Sequence, residues 1–174
     1  MTDMYQNVAG QIDPFKKLAS YIPGFGGYVE RQNRRDADKL VRDTVARRFT
    51  ELLTRTSNLQ KDLISAGKIQ FVDDMEQAAL QLRTFIDKIS RAPRGYSGLF
   101  DAVKINQKEL EQLYNFDLAF FDLADQIARG LDNVEASLAD DAALPAAIRN
   151  VVTLGRQAVE TINRRVEAYT GSGK

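Results

Sequence analysis

The chain has 174 residues, with 24 basic and 24 acidic side chains and neither histidine nor cysteine. Zero net charge denies it a general field that would gather nucleic acid or an anionic surface. The missing residue types exclude disulfides, thiol chemistry and Ser-His-Asp or Cys-His triads, and they remove the usual ligands of zinc, haem and the four-helix di-iron centres.

The first residues, Met1-Thr2-Asp3-Met4-Tyr5, carry an acid where an export signal would be basic. No stretch approaches the roughly 18 apolar residues of a membrane-spanning helix. A non-exported, cytoplasmic protein is expected. Val8, Ile12, Phe15, Ala19 and Ile22 then recur at four and three residues, with Asp13 and Pro14 as cap and first turn. Residues 1–26 therefore read as a short amphipathic segment closed by the glycine-rich stretch Pro23-Gly24-Phe25-Gly26-Gly27. That stretch lacks the spacing of a phosphate-binding loop, so it reads as a turn or hinge. Such a segment can dock on its own bundle, enter a partner's groove, or lie on a bilayer, although Lys16 and Lys17 supply few cations for the last.

Residues 27–169 read as a helical bundle, because apolar side chains recur at three and four residues and no segment alternates as a strand does. A first long helix is expected over Gly27–Ala66, roughly 60 Å at about 1.5 Å per residue, with Val41, Val45, Phe49, Leu52, Leu59 and Leu63 on one stripe. Gly67 favours a tight turn. A continuous helix through 66–68 is the alternative. The second helix, Lys68–Arg91, turns Phe71, Met75, Ala78, Leu82, Phe85 and Ile89 inward and stops before Pro93.

The third helix starts near Asn106, with Glu109 completing a capping-box pattern. Its stripe of Leu110, Leu113, Asp117, Phe120, Ala124, Ile127, Leu131, Val134 and Leu138 steps in a coiled-coil rhythm. Asp117 falls on an inward position and would need an arginine from a neighbouring helix. The alternative is that Phe116 points inward and Asp117 outward. Tyr114, Leu118 and Phe121 widen the apolar arc beyond the core stripe. The last helix opens near Leu144 or Pro145, behind Asp140 and Asp141, and carries Leu144, Ile148, Val151, Gly155, Val159, Ile162, Val166 and Tyr169. Residues 170–174 read as a flexible tail. The whole is an all-α, antiparallel four-helix bundle with elongated helices and a short N-terminal amphipathic helix.

Charge is uneven along this plan. Residues Glu109 to Asp141 hold nine acids and one base, whereas Gly27 to Ala66 hold nine bases and six acids. Neighbouring helices of opposite charge that neutralise one another are the simplest reading. The basic run Arg31, Arg34, Arg35, Lys39, Arg42, Arg47 and Arg48 is interleaved with Glu30, Asp36, Asp38 and Asp43, which points to internal pairs rather than nucleic-acid binding. Asp117, Asp122 and Asp125, and Asp73, Asp74 and Glu76, could in principle hold a hard cation, but such acids are more simply a solvated helix face.

The stretch Tyr21-Ile22-Pro23-Gly24-Phe25-Gly26-Gly27-Tyr28-Val29-Glu30-Arg31, with Arg34-Arg35-Asp36-Ala37-Asp38-Lys39, resembles the opening of a group of uncharacterised bacterial helical proteins. The resemblance implies a bacterial, helical, non-secreted protein and brings no catalytic or binding residues. We therefore expect no enzyme, no cofactor and no metal, but an interaction or scaffold protein with a protein partner or a second copy. Its candidate contact residues are Val8, Ile12, Phe15, Ile22, Tyr114, Leu118 and Phe121. A peripheral membrane protein anchored by the N-terminal helix is the alternative.

Overall fold

Helices of three-and-four periodicity have apolar stripes to hide, and the computed structural model shows how they do so over residues 14–25, 34–92 and 107–171. Five helices are described: α1 (Pro14–Tyr21), α2 (Arg34–Ser65), α3 (Val72–Arg91), α4 (Gln107–Ala136) and α5 (Leu144–Gly171). No strand occurs among the described residues. Four long helices form the bundle and α1 is a fifth packed on its side. The expected starts at Gly27 and Asn106 lie outside the described residues, and the final helix runs on through Gly171.

The α2–α3 turn is set by Gly67, whose φ of 73° is the left-handed conformation that glycine adopts without penalty. Lys68 N–H donates to Leu63 C=O and Gly67 N–H to Ile64 C=O, the paired bonds of a Schellman stop. The chain is thus not a continuous helix here. A single 3-10 turn, Ile69–Phe71, leads into α3. Between α4 and α5, the Asp140 carboxylate accepts from the amides of Ala142 and Ala143 and so fixes the second turn.

Successive long helices run in opposite directions, yet the two hairpins lie side by side with their like-directed helices in contact. Arg48, Arg55 and Lys68 meet Asp125, Asp132 and Asp141, so the numbering rises together along α2 and α4. Gly155 of α5 likewise sits against Ala78 and Gln81 of α3, while Ile162 to Glu167 face Asp87 to Ala92. An added Cβ on Gly155 would lie 2.9 Å from Gln81 Cβ, so glycine allows these two helices their close approach.

The core joins stripes from every helix. Phe49, Phe85 and Phe120 meet at its centre, with ring centroids 3.9 Å apart for the first pair and 5.2 Å for the second. The expected stripe of α2 is buried throughout, as are Met75, Ala78, Leu82, Phe85 and Ile89 of α3, while Phe71 is half-buried. On α5 the inward line passes through Ala158, Ile162 and Arg165, and Val159 and Val166 flank it half-buried.

Candidate interaction surface

Two adjacent faces of α4 are apolar, one step of the helix apart. Leu113, Phe120, Ala124 and Ile127 lie on one, and Tyr114, Leu118 and Phe121 on the other, where Phe121 meets Tyr21 of α1 and Tyr114 meets Phe25 of the turn after it. The second face is the widened arc read from the sequence. In the fold it is occupied by the chain's own N-terminal segment, and Tyr114, Leu118 and Phe121 are all buried. Of the three placements open to that segment, docking on its own bundle is the one observed, and Leu18, Ile22 and Phe25 belong to the same core as the four long helices. Val8 and Ile12 lie outside the described residues, as does the Phe15 side chain.

The docking geometry follows from a short helix and a turn. Tyr21 stacks on Phe121 with centroids 4.8 Å apart and planes 9° from parallel, and Phe25 meets Tyr114 edge-on at 6.4 Å. The last residue of α1 thus meets α4 at Phe121, and the residue that closes the following turn meets it two helical turns earlier, at Tyr114. Phe25 reaches Tyr114 because Pro23 and Gly24 reverse the chain: Phe25 N–H donates to Ile22 C=O at 3.2 Å, and Gly24 has a φ of 81°. Proline followed by a left-handed glycine is the requirement of a type II turn. The glycine stretch is therefore a turn at this point, as its composition suggested.

Polar groups border the contact. The Tyr21 hydroxyl donates to Asp122 at 3.3 Å. Burial raises the Tyr21 pKa, and the charges of Asp122 and Asp125 and the bond to Asp122 push it the same way, against an opposing effect of Arg48. Arg48 pairs with Asp125, and Arg55 with Asp132 at 2.6 Å. Lys68 pairs with Asp141. The basic second helix thus neutralises the acidic fourth, as the uneven charge suggested. On α3, Glu76 is held below the usual carboxylate range by hydrogen bonds from Arg83 and Gln60, with the Arg83 charge adding to them.

Asp117 is fully buried, while Phe116 is only half-buried. Its Oδ1 accepts from Arg165 Nε of α5 at 3.1 Å, and both side chains are almost wholly inaccessible. The inward reading of Asp117 holds, and so does the requirement for an arginine. Sequence reasoning did not single out Arg165, because it put the neighbouring Val166 on the stripe. The signal that could have found it is its spacing of three from Ile162.

Among the described residues no group of three carboxylates is placed to hold a metal ion. Asp117 faces the core, whereas Asp122 and Asp125 face α1 and α2. A depression of about 450 Å³ lies between α3 and α5, lined by Asp87, Lys88, Arg91, Ala92, Ile162, Asn163, Val166 and Glu167. Its mixed charges select no ligand class. No described helix is long and apolar enough to cross a membrane. The chain matches no family model, no curated protein and no solved structure.

Proposed function

We propose that the protein is a non-enzymatic helical interaction or scaffold module, assembling through apolar helix faces with a protein partner or a second copy. The docking of α1 carries this reading: a short amphipathic helix and the turn after it lie on an apolar face of α4, Tyr21 against Phe121 and Phe25 against Tyr114, with Leu18 and Ile22 buried in the same core. Helix-in-groove contacts of this kind are a common mode of recognition between chains. The charged residues support it from the other side, since Asp117, Asp125, Asp132 and Asp141 are each engaged by a cation of another element. A bacterial, cytoplasmic setting belongs to the same proposal and rests on the resemblance over residues 21–39.

Light scattering of the full-length protein over a range of concentrations, together with co-purification from native cells, tests the reading. Reversible self-association or a stoichiometric partner is expected. A protein that stays monomeric at every attainable concentration and retains no partner would remove it.

The exposed Lys16 and Lys17, beside the buried apolar residues of α1, favour one second reading, a peripheral protein whose first helix leaves the bundle for an anionic bilayer. Vesicle flotation decides this. Protein that remains at the bottom of the gradient with phosphatidylserine-containing vesicles ends it.

A further inference from the structure

We infer that α1 is a strap seated in a helix-accepting groove on α4, and that its release admits an amphipathic helix of the same anchor chemistry from another chain. The inference rests on the assembly reading above and adds the occupant and the switch.

Three features of α1 support it. With eight residues, α1 is too short to hold helical form alone in water, so its order depends on docking. Its broad packing among the described helices is on α4. Release therefore leaves the packing of α2 on α3, α3 on α5 and α4 on α5 in place. Segments held by so few neighbours open before the whole molecule does.

The contact is also made of transferable parts. Leu18 on α1, and Ile22 and Phe25 in the turn that follows it, are at most 1% exposed. The Tyr21 ring covers Phe121, and its hydroxyl reaches Asp122. An outside segment needs the same form, a short helix closed by a Pro-Gly turn, with the same three apolar anchors and an aromatic hydroxyl to reach Asp122.

While α1 is docked, the groove is closed, and the apparent affinity for an outside helix falls by the fraction of molecules that are open. Weakening the strap in cis should therefore strengthen binding in trans. The experiment uses the full-length chain and a fluorescent peptide of residues 12–28 as the probe. Ile22→Ala in the protein should bind the peptide at least about tenfold more tightly than wild type does, and adding Phe121→Ala should abolish the gain. Phe25→Ala provides a second loosened chain should the first fold poorly.

Hydrogen exchange supplies an independent readout, in which the amides of Leu18 to Tyr21 exchange well ahead of those of Phe120 to Ala124. A folded Ile22→Ala or Phe25→Ala chain that binds the peptide no better than wild type overturns the inference, as does equal protection of the two segments. Peptide failure alongside self-association in light scattering sinks the strap alone. Peptide binding by a monomeric, partnerless wild type sinks the assembly reading alone.

Discussion

Replacing Arg165 with methionine keeps the length and most of the volume of the side chain and removes its charge. Asp117 then stays on the inward stripe of α4, between Leu113 and Phe120, without the cation that sits 3.1 Å away in the native protein. Both side chains are at most 1% exposed, so water does not replace the lost partner. Breaking a buried pair from one side costs about 3–5 kcal/mol, a large part of the roughly 5–15 kcal/mol that holds a domain together. Asp117→Leu combined with Arg165→Met removes both charges at once. The double variant should lie close to wild type, or up to about 4 kcal/mol above it. Urea unfolding followed by far-ultraviolet circular dichroism measures all three proteins. An Arg165→Met loss below about 1 kcal/mol, the value of an exposed pair, would refute the reasoning, as would a double variant no more stable than the single.

Gly24→Ala places a side chain on a residue whose φ is 81°, which costs about 1–2 kcal/mol. The strain should loosen α1 and quicken hydrogen exchange over residues 18–25, with little change across α4 and α5. Gly155→Ala brings a Cβ to 2.9 Å from Gln81 Cβ. The overpacking of about 1–3 kcal/mol should outweigh the helix preference of about 1 kcal/mol and lower the melting temperature, and an unchanged or raised one would contradict the close approach of α3 and α5. Tyr21 holds its proton more tightly folded than unfolded, where its value is 10.0. Its contribution to stability is therefore intact below that pH and is lost as the pH rises through the folded value. Tyr21→Phe should lack this component, so the stability advantage of wild type over the variant should shrink on the alkaline side.

The helices were legible in the sequence because burial of one stripe imposes a period that loops do not share. Gly67 and Asp140 marked their turns for equally local reasons, a left-handed φ and a carboxylate facing free amides. The opposite charges of α2 and α4 suggested that they are neighbours, but short turns fix only α2 against α3 and α4 against α5, and nothing local says that α2 and α4 run in the same direction. The pairs Arg48–Asp125, Arg55–Asp132 and Lys68–Asp141 reveal it. Asp117 was legible because an acid on an apolar stripe breaks the pattern. Arg165 was not, because the adjacent Val166 fits that pattern better. The apolar arcs of α1 and of Tyr114, Leu118 and Phe121 were both visible, yet periodicity records only that a face must be covered, and it was the three-dimensional arrangement that brought the two arcs together.

The side-by-side hairpins also decide how the molecule meets a mechanical force. Arg34 of α2 and Gly171 of α5 lie at the same pole, because both turns, joined through Lys68 and Asp141, lie at the other. Tension applied at these two residues therefore strips α2 and α5 away turn by turn, breaking contacts one after another instead of shearing whole helix lengths at once. The bundle should yield at low force along this axis while remaining stiff to loads placed across its waist.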